Sequence, residues 1–69
     1  MSDPRLASRL KEVRQAAGLT QAELAEKAGV SRKTVNTVEN GVFIPSTILA
    51  LSLARALAVT VEDLFWLAD

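Results

Sequence analysis

The chain has 69 residues, enough for one small hydrophobic core, and 49% of them are apolar, too many for a disordered segment. With no Cys and no His, a disulfide framework, a thiol nucleophile and the usual zinc sites are excluded, and the scattered acids lack the spacing of a calcium loop. Eight cations balance eight acids, but unevenly: residues 1–41 hold seven cations against five acids, and residues 42–69 one against three. A local basic face can therefore still meet phosphates although the net charge is zero.

Met1-Ser2-Asp3-Pro4 has neither the basic start nor the apolar run of a signal peptide. Asp3-Pro4 instead predicts a helix start, with Asp as the cap and Pro at the first helical position, where its missing N–H is no loss. Leu6, Leu10, Val13 and Ala17 then recur at helical spacing, while Arg5, Arg9, Lys11 and Arg14 lie off that stripe. Gly18 is placed to end the helix in a left-handed conformation.

Thr20 and Glu23 form a capping-box pattern, and Leu19 and Leu24 flank it as a hydrophobic staple. Gly29 follows the last residue of this second helix, and Ser31 caps a third at once, with Val30 able to staple to Val35. Two helices around so short a turn make a helix-turn-helix pattern.

On the third helix, with Arg32 at zero, Asn36, Asn40, Lys33 and Thr37 fall at roughly 40°, 80°, 100° and 140°, and Thr34, Val38 and Val35 at roughly 200°, 240° and 300°. One side faces a core, and the other offers two cations, two amides and a hydroxyl. Such an arc is commonly no more than a solvated face. A solvated face usually mixes Glu with Lys, however, and this arc has no acid. Arg reads guanine and Asn reads adenine through paired hydrogen bonds, so the same side chains also suit the edges of bases in the major groove.

Gly41 to Pro45 reads as a loop in which Phe43 and Ile44 either cover the core or stand exposed. Ser46 caps a fourth helix with Leu49, Ala50, Leu53, Ala54 and Leu57 inward, which leaves Ile48 and Leu51 outward as a partner surface or as scattered exposed groups. The apolar run from Ile48 to Val61 is too short to span a membrane and contains Arg55, so a soluble, cytoplasmic protein is expected. Thr60 and Asp63 repeat the capping-box pattern for a last helix, with Val59 able to staple to Leu64. Val61, Leu64, Phe65, Trp66 and Leu67 then crowd the C-terminus. If the helix continues through them, Trp66 lies about 100° from Phe65, so one core face cannot take all five. That predicts a dimer contact there, with the same patch meeting its copy across a two-fold axis.

Gln21-Ala22-Glu23-Leu24-Ala25, Gly29-Val30-Ser31-Arg32 and Val38-Glu39-Asn40-Gly41 resemble, in order and spacing, the Cro-type or XRE helix-turn-helix family of phage repressors and small bacterial regulators. The similarity runs from about Leu6 to Leu67. It implies an all-α bundle of five short helices forming a single DNA-binding domain over residues 1–69. It also implies a transcriptional regulator, in the first instance a repressor, that reads an inverted-repeat operator in double-stranded DNA as a homodimer. Arg32, Lys33, Asn36 and Thr37 would face bases, Gln21, Ser31 and Asn40 phosphates, and Arg14 would pair with Glu39 as a structural ion pair. No cofactor, metal, membrane contact or small-molecule effector is expected, and no convergent pair of groups suggests catalysis.

The chain departs from the family at two places. Val42 stands where relatives often carry a cation that reaches the DNA backbone, and Ala58 where they commonly have Gly or Asn. The alternative is a helix-turn-helix frame that binds a protein, such as a toxin it neutralises, through Phe43, Ile48, Leu51 and Trp66.

Overall fold

The computed structural model describes residues 6–68. The order of elements is β1 (Leu6–Ser8), α1 (Leu10–Ala16), α2 (Gln21–Ala28), α3 (Arg32–Glu39), α4 (Thr47–Leu57), α5 (Val61–Leu64) and β2 (Phe65–Leu67). Helix α2 packs on both α3 and α4, and α5 closes the bundle against α4. Leu10, Leu24, Val35, Leu53 and Leu64 are fully buried at its centre, with Ala25, Val38, Leu49, Ala54 and Phe65 around them. The aliphatic core expected from the composition is therefore present, and each helix contributes to it.

From α2 onward the caps are where the sequence puts them. The Thr20 hydroxyl accepts the Glu23 N–H at 3.0 Å while the Glu23 carboxylate accepts the Thr20 N–H at 2.8 Å. Thr60 and Asp63 do the same at 3.2 and 3.0 Å. In both boxes the backbone N–H, first among the causes, holds the acid below its ordinary carboxylate range. Ser46 caps α4 by accepting the Leu49 N–H at 3.1 Å.

The first helix differs from the sequence reading. Leu6–Ser8 is a strand, not a helical turn, and it pairs antiparallel with Phe65–Leu67 in the register Leu6–Leu67, Ala7–Trp66 and Ser8–Phe65. The Ser8 hydroxyl accepts the Leu10 N–H at 3.2 Å, and the Arg9 N–H reaches the Leu64 carbonyl at 2.9 Å, so α1 begins only after the ribbon. Ala17, expected inward, is the exposed C-cap residue. Asp3 and Pro4, read as the helix start, lie outside the described residues. The all-α bundle of five helices thus carries a two-stranded ribbon that joins its two ends.

The ribbon also changes the C-terminal patch. Because α5 stops at Leu64, the following residues alternate across a strand rather than turning about a helix. Leu64 is fully buried and so unavailable to a second chain, and Phe65, 7% exposed, belongs mainly to the core. Val61 is half-buried, while Trp66 and Leu67 are both exposed. The guanidinium of Arg9 lies 4.6 Å from the centre of the Trp66 ring, a cation–π contact across the ribbon. On the neighbouring surface, Leu6, Ile44, Ala50, Leu51, Val61 and Phe65 line an open apolar groove.

The turn after α4 is built on Ala58, with φ 57° and ψ 40°, and among the described residues it alone takes positive φ without being Gly. The N–H groups of Ala58 and Val59 close the helix on the carbonyls of Arg55 and Ala54 at 3.2 and 3.0 Å, which demands the left-handed conformation. There the Cβ crowds its own backbone at a cost of about 1 kcal/mol. Ala58→Gly should therefore raise stability by roughly 0.5–1 kcal/mol despite glycine's greater freedom when unfolded. Urea or thermal unfolding of the two proteins measures it, and a lower midpoint for the variant would contradict the assignment.

Candidate nucleic-acid interface

Gly29, with φ 73°, ends α2, and only Val30 and Ser31 separate it from α3. The Ser31 hydroxyl accepts the Thr34 N–H at 3.1 Å and lies 2.9 Å from the Thr34 hydroxyl. With so little chain in the turn, α3 must cross α2 at once, and Val35 and Val38 seat it in the core. Opposite them, Arg32, Lys33, Asn36 and Asn40 are exposed and Thr37 is half-buried. The Thr37 hydroxyl donates to the Thr34 carbonyl at 3.0 Å, which leaves its oxygen and methyl group for other contacts. Gln21, Arg32, Lys33 and Asn36 border one open cleft, so the structure brings the first residue of α2 beside the first turns of α3.

Under this face lies a buried ion pair. Arg14 Nε donates to Glu39 Oε2 at 2.6 Å and Nη2 to Oε1 at 3.2 Å, with side-chain exposures of 9% and 3%. Arg14 Nη1 also donates to the Leu19 carbonyl at 2.8 Å. One guanidinium thus ties α1 to the last turn of α3 and to the residue before the α2 cap. Hydrogen bonding to Glu39 raises the Arg14 pKa above its ordinary value although burial opposes this, so the guanidinium stays charged. Among the described residues, no buried side-chain nitrogen or oxygen lacks a partner.

Glu39 has a further neighbour that the sequence did not suggest. Gln21 Nε2 donates to Glu39 Oε1 at 3.1 Å, Asn36 Nδ2 lies 3.5 Å from Gln21 Oε1, and Asn40 Nδ2 donates to Asn36 Oδ1 at 3.2 Å. The Gln21 side chain, half-buried at the edge of the cleft, therefore already bonds to protein groups. Its separation of 18 positions from Glu39 leaves no trace in either helix's periodicity. Only the crossing of α2 and α3 brings the two together.

A profile of the family described as Helix-turn-helix matches residues 10–64, most of the chain. The chain belongs to the XRE-type helix-turn-helix family. YgzD of Bacillus subtilis, an uncharacterized HTH-type transcriptional regulator, is 40% identical over 62 residues that cover 90% of this chain and 94% of that protein. The crystal structure of the restriction-modification controller protein C.AhdI from Aeromonas hydrophila superposes with a TM-score of 0.78 and 40% identity, over 80% of this chain and 83% of that one. SinR, the master biofilm regulator of Bacillus subtilis, solved in complex with DNA, gives 0.74 and 33% over 78% and 87%. The family is one of DNA-binding transcriptional regulators rather than enzymes.

Within this helix-turn-helix, the loop after α3 leaves Val42, Phe43 and Ile44 about half exposed, so they do not roof the core. No helix among the described residues is long and apolar enough to cross a membrane.

The pair of Arg14 and Glu39 yields a quantitative expectation. Removing one partner strands a buried charge, so each single substitution to Ala should cost well beyond the 0–1 kcal/mol or so of a surface pair. A double-mutant cycle on urea stability should give a coupling above about 1 kcal/mol. A coupling near zero would mean that solvent already screens the two groups.

Proposed function

We propose that this helix-turn-helix protein is a repressor that reads an inverted-repeat operator as a homodimer, each copy placing α3 in the major groove. The observation that carries the reading is the exposed, acid-free arc of Arg32, Lys33, Asn36 and Asn40 on a helix whose opposite face is locked in the core. Arg32 suits guanine and Asn36 adenine; Lys33 adds a donor, and Thr37 a methyl group for thymine. Phosphates would be held by the Gln21 backbone N–H at the start of α2, by the Ser31 hydroxyl at the start of α3, and by Asn40 at its end. The first N–H groups of a helix have no carbonyl of their own helix to meet, which suits them to an anion. DNA as the target places the protein's work in the cytoplasm.

One short helix reads few base pairs, and a chain of zero net charge gathers little non-specific affinity. Two subunits set about 34 Å apart would supply both. The apolar surface suited to a two-fold contact is the groove bordered by Leu51 and Val61, taken together with the exposed Trp66 and Leu67 of the ribbon and with Ile48, which is 79% exposed. A second reading gives the same surface to a protein partner, such as a toxin, and Val42 in place of a backbone-binding cation favours it.

Selection from random DNA should enrich an inverted repeat; enrichment of nothing at low salt would transfer the assignment to the second reading. On that operator, Arg32→Ala and Asn36→Ala should each cost about 1–3 kcal/mol and relax the preference at particular bases. If Arg32→Ala weakens every sequence equally, Arg32 touches backbone instead.

Sedimentation at micromolar concentration tests the dimer. The wild type should be dimeric, and Ile48→Glu or Trp66→Ala should shift it toward monomer and weaken operator binding together. A wild-type monomer with full operator affinity would sink the two-fold arrangement.

A further inference from the structure

The amide chain beneath the exposed arc has a direction. Both Glu39 oxygens accept from the Arg14 guanidinium, and a carboxylate paired in this way offers Gln21 only acceptors, so the Gln21 carboxamide has to turn its NH₂ toward Glu39. Its oxygen is then left facing Asn36, whose NH₂ turns toward it at 3.5 Å, the outer limit of hydrogen-bond reach. The Asn36 oxygen in turn accepts from Asn40 Nδ2 at 3.2 Å. An isolated carboxamide can flip end for end with little change in shape. These two cannot without setting oxygen against oxygen.

We propose that Gln21 is a positioning residue that carries this polarity from Glu39 to Asn36, and so makes Asn36 select adenine over guanine. The inference rests on the DNA-reading assignment of α3. It follows from counting donors and acceptors. Asn36 has two N–H donors and two lone pairs. Gln21 takes one donor and Asn40 one lone pair, which leaves a single donor beside a single acceptor. Adenine presents the complement of that pair in the major groove, N7 as acceptor and the N6 amino group as donor. Guanine presents two acceptors, N7 and O6, and needs two donors that Asn36 cannot give while Gln21 holds one of them. Freeing the Asn36 NH₂ from Gln21 releases the second donor and removes the bar to guanine.

Two substitutions separate positioning from simple contact. Gln21→Met keeps the length of the side chain but offers Asn36 no acceptor, and it leaves the bond between Arg14 and Glu39 in place. Gln21→Glu restores an acceptor beside Asn36, while its charge opposes both Glu39 and the phosphates. The readout is the ratio of affinities for an operator with adenine at the Asn36 position and one with guanine there, at fixed salt. The ratio should fall by roughly five- to tenfold in Gln21→Met. It should hold in Gln21→Glu even as that variant binds both operators more weakly. A contact confined to phosphate would lower affinity in both variants and leave the ratio unchanged, and that result overturns the proposal.

A measurement on the free protein keeps this failure distinct from failure of the DNA reading. The Asn36 side-chain amide resonances in a ¹⁵N-correlated spectrum should move in Gln21→Met, with the backbone spectrum otherwise retained. Unmoved resonances mean that no coupling exists, whatever the DNA results. Moved resonances in a protein that enriches no sequence overturn the base-reading assignment, and the proposal with it.

Discussion

The bond between Arg14 and Glu39 is the constraint on which the remaining geometry depends. Two charges with little exposure are costly to bury unless each finds partners for its hydrogen-bonding groups. Here the guanidinium serves two acceptors, Glu39 and the Leu19 carbonyl, and the carboxylate also receives Gln21. Those contacts meet only if α1, the start of α2 and the end of α3 stand in one arrangement. A greasy core of Leu, Val and Ala packs in many similar ways and discriminates weakly among them. A buried ion pair with directional bonds is a physical reason for a small bundle to choose one.

The short turns act on the same problem from the backbone side. Gly29 and Ser31 leave no slack between α2 and α3, so the angle of α3 follows from the caps together with the ion pair. The turn after α4 performs the same service for α5 but uses Ala58, which pays in strain for what glycine would give freely. The ribbon then joins the start of the described chain to its end, and the Arg9 guanidinium over Trp66 covers part of a ring that would otherwise meet water.

What was legible in the sequence follows how local each signal is. Capping boxes, glycine turns and the inward stripe of α4 are spelled within a few residues, and all lie where the pattern puts them. The inward and outward faces of α3 were equally legible, because helical period alone separates Val35 and Val38 from Arg32 and Asn36. The ribbon was not. Leu6 fits a helical stripe with Leu10 and Val13, and its pairing with Leu67 is a contact between chain ends that no local pattern encodes. A helix continued through Phe65 likewise put the fully buried Leu64 into a dimer patch and missed that Phe65 starts a strand. Gln21 shows the limit most plainly. As the first residue of a helix it reads as an anion-binding position, and its side-chain bond to Glu39 exists only once two helices have crossed.

The electrostatics of the helix-turn-helix set how sequence preference and affinity divide. Most DNA-binding domains draw affinity from many cations on phosphates, a term that is insensitive to sequence and weakens steeply with salt. This chain has zero net charge, and two of its eight cations, Arg14 and Arg9, are engaged by Glu39 and by the Trp66 ring. Arg32 and Lys33 stand on the exposed face of α3, while the helix ends offer neutral N–H donors instead of charges. A surface of this kind loses little by leaving a wrong sequence, because little holds it there. Under the proposed base-reading role, its discrimination would come from bonds made only when base edges fit side chains of fixed orientation. In that role a rigid foundation under α3 would serve this protein better than additional positive charge, and the Glu39 carboxylate, bonded to both Arg14 and Gln21, is part of that foundation.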